Sequence, residues 1–190
     1  MVMVLLYAHQ YTSGEVRAII DALAEGRNPQ PPGGGTPPPA HTLGLHWAVP
    51  EAELKQRSCG LYNGNNQTQA PGPGTTSCFG TVDTTVLAVT EALNSVAGQN
   101  VLTQLDNGAN AVNLTATVGN LGTQYLGKRF VRSAVASAIL PTGSGDIYRG
   151  ATITQVFVRL YRHVQSNGGD RLWIQTAYPS AIAGGTQVTI

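Results

Sequence analysis

Apolar and polar positions along this chain follow two different periods, and the change from one to the other divides it. Val16, Ile19, Ile20 and Leu23 recur at helical spacing, and Thr12 with Glu15 three residues on is a capping-box pattern, so a helix is predicted over 12–25, ended by Gly26. Pro50 suits the first turn of a second short helix running to about Arg57, with Glu51 and Glu53 at its positive end. A third is predicted from about Asp83 to Ala97, with Val86, Val89, Leu93 and Val96 on the side facing the core.

From Ile153 to Val164 the period becomes two. Val156, Val158 and Leu160 alternate with Phe157, Arg159, Tyr161 and His163, as in a half-buried strand. A second strand, Arg171 to Tyr178, follows across Ser166-Asn167-Gly168-Gly169, a hairpin signal. Helices first and antiparallel strands after make an α+β domain. Residues 98–150, rich in Gly, Asn and Thr, are expected to add shorter strands, and 60–76 to form a long turn-rich insertion. Asn28 to Ala40 holds six prolines and three glycines, which reads as an extended linker. The expected organisation is an N-terminal helical segment (1–27), a Pro/Gly-rich linker (28–39) and a main domain (40–190).

Composition narrows the class. Of 190 residues, 42% are apolar and only 11% charged, against about 25% charged in ordinary soluble domains, which excludes a coiled coil or a highly charged disordered chain. The net charge of +1 lacks the basic excess typical of nucleic-acid binders. It is unevenly spread: residues 1–106 carry four Lys/Arg against eight Asp/Glu, and residues 107–190 carry seven against two. Such a split can hold an anion against the basic half, or is ordinary surface unevenness. No apolar run is long enough to span a membrane, and the apolar opening Val2–Ala8 lacks the basic flank of a secretory signal. Cys59 and Cys78, with 18 residues between them and no neighbouring His, do not form a zinc site. They are either a disulfide stapling the 59–78 loop, worth about 3 kcal/mol, or two free thiols.

Two places carry candidate chemistry. His41 and His46 lie just before the Pro50 helix that bears Arg57. Imidazole transfers protons near neutral pH, and a guanidinium presents forked donors to phosphate oxygens. On the last predicted strand, Thr176 and Tyr178 project from one face, two hydroxyls about 7 Å apart. A packed His and ordinary strand-forming Thr and Tyr would give the same pattern.

In this order, the motifs His41-Thr-x-x-x-His46, Leu54-x-x-Arg57, Ser77-x-Phe79 opening a helix with Ala92-Leu93, and Thr176-Ala177-Tyr178-Pro179 resemble the bacterial RNase A-like toxin domain. That domain ends contact-dependent growth-inhibition proteins and other polymorphic toxins, and the resemblance runs from about Ala40 to Pro179. Two departures stand out: 58–77 is longer and richer in Gly and Pro than in the family, and the motif begins Pro39-Ala40-His41 rather than Gly-Gly-His. The resemblance implies a kidney-shaped α+β fold and an endoribonuclease that uses no metal or other cofactor. It implies catalytic roles for His46, Arg57, Thr176 and Tyr178, and substrate contact by His41, with Lys128 a further substrate-binding candidate. RNA, with tRNA among the candidate substrates, and a cognate immunity protein are the implied partners. The implied protein is a monomer with no membrane association, delivered to the cytoplasm of a target bacterium as an effector or as part of a larger polypeptide. His163, on the neighbouring strand, is an alternative general acid. Two other readings remain: an EndoU- or colicin-type ribonuclease relying on Lys128, and a non-enzymatic phage or surface structural module.

Overall fold

The computed structural model describes residues 7–22, 42, 46–58, 61–62, 67–68, 74–119, 122–132, 145–164 and 170–190. The first helix, α1 (Ser13–Ala22), is capped as its sequence predicts. The Thr12 N–H donates to Glu15 Oε2 at 2.7 Å, and the Glu15 N–H donates back to Thr12 Oγ1 at 3.2 Å. Its apolar face does not stand apart: Val16 and Ile20, with Tyr7 and Tyr11 ahead of them, are buried in the main core. Side chains from the body of the domain hold this segment down. The Asp106 carboxylate accepts the N–H groups of Tyr7 and Ala8, and Asn94 pairs with both the N–H and the carbonyl of Tyr11. The expected boundary near Pro39, and the linker itself, lie outside the described residues.

The second helix, α2 (Glu51–Ser58), begins after Pro50, whose carbonyl accepts the N–H groups of Glu53 and Leu54. Within the insertion, β1 (Leu61–Tyr62) and β2 (Gln67–Thr68) form a short antiparallel pair. Residues expected to open a helix at Ser77 instead form a strand, β3 (Thr75–Phe79), because they find pairing partners in 127–131 that no local pattern reveals. The helix α3 (Val82–Asn94) starts only after Thr81, whose side chain accepts the Thr84 N–H. It stops at Ser95 rather than continuing to Ala97. Ser95 is extended (ψ 161°), its N–H closes α3 on the Glu91 carbonyl, and its Oγ accepts the Gly98 N–H to cap α4 (Val96–Asp106). This helix replaces part of what the sequence suggested as strand, and it buries Leu102 and Leu105.

The remaining strands are β4 (Ala111–Thr117), β5 (Leu126–Arg132), β6 (Gly145–Val164), β7 (Asp170–Ala183) and β8 (Thr186–Thr189). With β3 they form one antiparallel sheet whose spine is the 20-residue β6. Residues 146–149 of β6 pair with β5 on one edge and β8 on the other; residues 155–161 pair with β4 and β7 in the same way. β6 turns at Gly150, whose φ of +60° is left-handed backbone open to glycine, and several register shifts add twist. The sheet consequently curls into a half-barrel. β3 and β7 are separated by β5 and β6, yet Ser77 Oγ donates to the Pro179 carbonyl at 2.6 Å and Arg129 donates to the Ile182 carbonyl at 3.0 Å.

The larger core fills the space between α1, α3, α4 and one face of the sheet. A smaller one lies under α2, where Val49 and Leu54 meet Cys78, Phe130 and Ile147. The architecture is α+β, a helical N-terminal half followed by a twisted antiparallel sheet. Among the described residues no helix is long and apolar enough to cross a membrane.

Candidate active site

The site grows from the pairing of β6 with β7. Thr176 lies opposite Arg159 and Tyr178 opposite Phe157, so Thr176 and Tyr178 share a face, as the period of two requires. The rings of Phe157 and Tyr178 stack with centroids 4.9 Å apart and planes at 26°. Burial pushes the Tyr178 phenol above its ordinary value, so its hydroxyl keeps its proton further into the alkaline range.

His46 reaches this face from far away in sequence. The Ala48 N–H donates to the Phe79 carbonyl at 3.0 Å, and Trp47 forms an isolated parallel bridge with Phe79, so the chain before α2 is pinned to the end of β3. Ala48 holds φ at +45°, a conformation unfavourable for a residue with a Cβ. The result sets the imidazole of His46 against Tyr178, ring centroids 5.1 Å apart and planes at 39°. Both rings are partly exposed. The hydroxyl of Thr176 is buried and makes no hydrogen bond among the described residues.

Arg57 stands at the C-terminal end of α2, its side chain only 8% exposed and ion-paired with Glu53 one turn earlier. Alternation along β3 sends Thr76 to α2, where its hydroxyl donates to the Leu54 carbonyl, and Ser77 to β7. Cys78 lies on the α2 side, a free and fully buried thiol. Burial raises its pKa, against smaller opposing contributions that include the charges of Lys128 and Arg57. Cys59, its proposed partner, lies outside the described residues, as does His41.

Lys128, opposite Cys78 on β5, donates from Nζ to the Val49 carbonyl at 3.1 Å, just ahead of Pro50. His163 packs its ring on Trp173, centroids 4.7 Å apart. It is six residues from Phe157 along β6, about 20 Å at strand rise, too far to serve the same reacting atoms as His46 and Tyr178.

The structure therefore brings His46, Thr176 and Tyr178 together. It places Arg57 and Lys128 on the neighbouring α2–β5 layer. Among the described residues no group of three or more His, Cys, Asp or Glu side chains is placed to hold a metal ion. Sequence reasoning passed over Gln175, although the polar run Gln175-Thr176 interrupts the apolar alternation of β7. A shallow cavity of about 320 Å3 at the α4–β4 edge shares Arg159 with the site and is otherwise lined by Val101, Gln104, Ala111, Val112 and Asn113.

No family model and no curated protein matches the chain. Among solved structures, a chain of the crystal structure of the CdiA-CT/CdiI complex from Y. kristensenii aligns at 15% identity with a TM-score of 0.47, covering 75% of this chain and 100% of that one. At that level the likeness carries no weight for activity, and the assignment rests on this chain's own residues.

Proposed function

We propose that this chain is an endoribonuclease toxin that cleaves RNA by transesterification, without a metal. The observation that carries this reading is the imidazole of His46 held against Tyr178, on the strand that also presents the Thr176 hydroxyl. His46 takes the proton of a ribose 2′-OH. The 2′-oxygen forms a bond to the adjacent phosphorus while the bond from phosphorus to the 5′-oxygen breaks, leaving a 2′,3′-cyclic phosphate and a free 5′-hydroxyl. Arg57 stabilises the charge that develops on the phosphorane, where a preorganised donor has its largest effect. Tyr178 hydrogen-bonds through its O–H to a nonbridging oxygen while water protonates the departing 5′-oxygen, or gives its own proton to the 5′-oxygen and regains one from water; Thr176 positions the phosphate or base. His41, five residues ahead of His46 in the sequence, contacts substrate, and Lys128 anchors the segment that carries Val49 as well as adding positive charge near the phosphate.

Such a toxin acts as a monomer in the cytoplasm of a target bacterium and is neutralised by a cognate immunity protein. The test is RNA cleavage in EDTA by the purified chain, followed by detection of the cyclic phosphate end. His46→Ala is expected to lower the rate by about 10²–10⁴-fold and Arg57→Ala by about 10²–10³-fold. Cleavage undiminished in both variants would overturn the assignment. Expression inside bacteria should arrest growth through His46; harmless wild-type protein assembling into large particles would instead mark a structural module.

A further inference from the structure

The hairpin of β6 and β7 contains an irregularity beside Thr176. β6 advances one residue, from Arg159 to Leu160, while β7 steps back two, from Thr176 to Ile174, so Gln175 is the extra residue of a β-bulge. Ile174 and Ala177 both belong to the helix-side core. The two residues between them are consequently both turned to the other face, where regular alternation would have sent one of them into the core.

Gln175 is only 3% exposed, and its Oε1 is buried without a hydrogen-bond partner among the described residues; the neighbouring Thr176 hydroxyl is in the same state at 6% exposure. Buried polar atoms are nearly always satisfied, and two adjacent orphans on one face call for a polar ligand. Gln175 Oε1 accepts from an N–H, and the hydroxyl of Thr176 donates or accepts. Together they match a planar edge on which an N–H adjoins an acceptor atom, as on a nucleobase. The stacked rings of Phe157 and Tyr178 lie two residues further along the same face, and the His46 imidazole packs against Tyr178 there.

We propose that Gln175 reads the base on the 5′ side of the cleaved bond, and that the bulge exists to aim it there. This rests on the ribonuclease reading and assigns it a specificity-determining residue. Gln175 accepts from the ring or exocyclic N–H of the base and Thr176 holds the adjoining position, so bases differing in their donor and acceptor order are cleaved at different rates.

The experiment compares wild type, Gln175→Ala and Gln175→Met on the four dinucleoside monophosphates NpA. Methionine keeps the length and volume of glutamine and removes its hydrogen-bonding groups, separating recognition from packing. Wild type is expected to favour its best base at least tenfold in kcat/KM, and both variants to bring that ratio at least fivefold closer to unity. Binding of the four nucleoside 3′-monophosphates by calorimetry provides a readout independent of turnover, with the same loss of discrimination expected. Discrimination in binding that disappears in the variants, with no cleavage by any form, keeps the base site and removes the ribonuclease. Wild-type ratios retained within twofold by the variants, or no base preference in wild type by either assay, overturn the proposal. A lowered melting temperature with unchanged ratios also overturns it, because it makes Gln175 a packing residue.

Discussion

Burial raises the Tyr178 phenol, and the same cause acts on Tyr11 and, with the Glu91 carboxylate accepting its hydroxyl, on Tyr125. A phenol whose folded pKa is raised contributes stability that is whole below its unfolded value near 10 and is lost as pH rises through the folded value. Absorbance at 295 nm should therefore show these tyrosines retaining their protons past pH 10 in the folded chain, and ionising together as it unfolds. In catalysis the protonated form is the donor, so activity that depends on Tyr178 should persist through mildly alkaline pH. Tyr178→Phe keeps the ring contacts and removes the hydroxyl; it should lower kcat about 10–10²-fold with little change in KM. A KM effect alone would make Tyr178 a binding group. The sequence showed Thr176 and Tyr178 on one face because alternation is local. It did not show the encounter of His46 with Tyr178, which depends on the bridge from Trp47 to Phe79, nor the slip that turns Gln175 to the same face.

Periodicity served best for elements whose partners are close in the chain. The capping box of α1, the Pro50 start of α2, the alternation of β6 and, on α3, the burial of Val86, Val89 and Leu93 stand as the sequence predicts; Val96, expected on that same face, lies past the end of α3 as the first residue of α4 and is 81% exposed, because the chain breaks at Ser95. The corner between α3 and α4 escaped it. Leu102 and Leu105 have helical spacing, but Gly98, Asn100 and the surrounding polar residues have weak helix propensity, and Ser95 acts at once as the stop of one helix and the cap of the next. Gly98 is required there for its size: a Cβ would strike the carbonyl oxygens of Ala92 and Leu93. Gly98→Ala is expected to cost about 1–3 kcal/mol by overpacking, and Ser95→Ala about 1 kcal/mol through the lost cap. Thermal unfolding of the two variants checks both values. If Gly98→Ala were as stable as wild type, the two helices would not be packed as tightly as their backbone geometry shows. β3 was equally hidden, since a five-residue strand takes its identity from β5, some fifty residues away.

At the scale of the molecule, the curl of the sheet joins segments that enter the chain far apart. Ser77 meets Pro179 across 102 residues, and Tyr7 meets Asp106 across 99. The two sides of the candidate site, the β3 end that pins His46 and the β7 strand that carries Tyr178, are thus assembled only when the half-barrel forms. Closure of long loops costs chain entropy before any contact repays it, so domains with this balance of non-local pairing fold in about milliseconds to seconds. Trp173, 2% exposed, and Trp47, 38% exposed, provide fluorescence signals for the buried hairpin and for the closing edge. If the seam between β3 and β7 closes after the rate-limiting step, Ser77→Ala should speed unfolding about fivefold, for a lost hydrogen bond of about 1 kcal/mol, and leave the folding rate nearly unchanged. A slowed folding rate instead would place the seam inside the nucleus. With closure after the rate-limiting step, completion of the site and burial of Trp173 belong to one observed phase, so activity in a refolding experiment should return at the rate of the Trp173 signal.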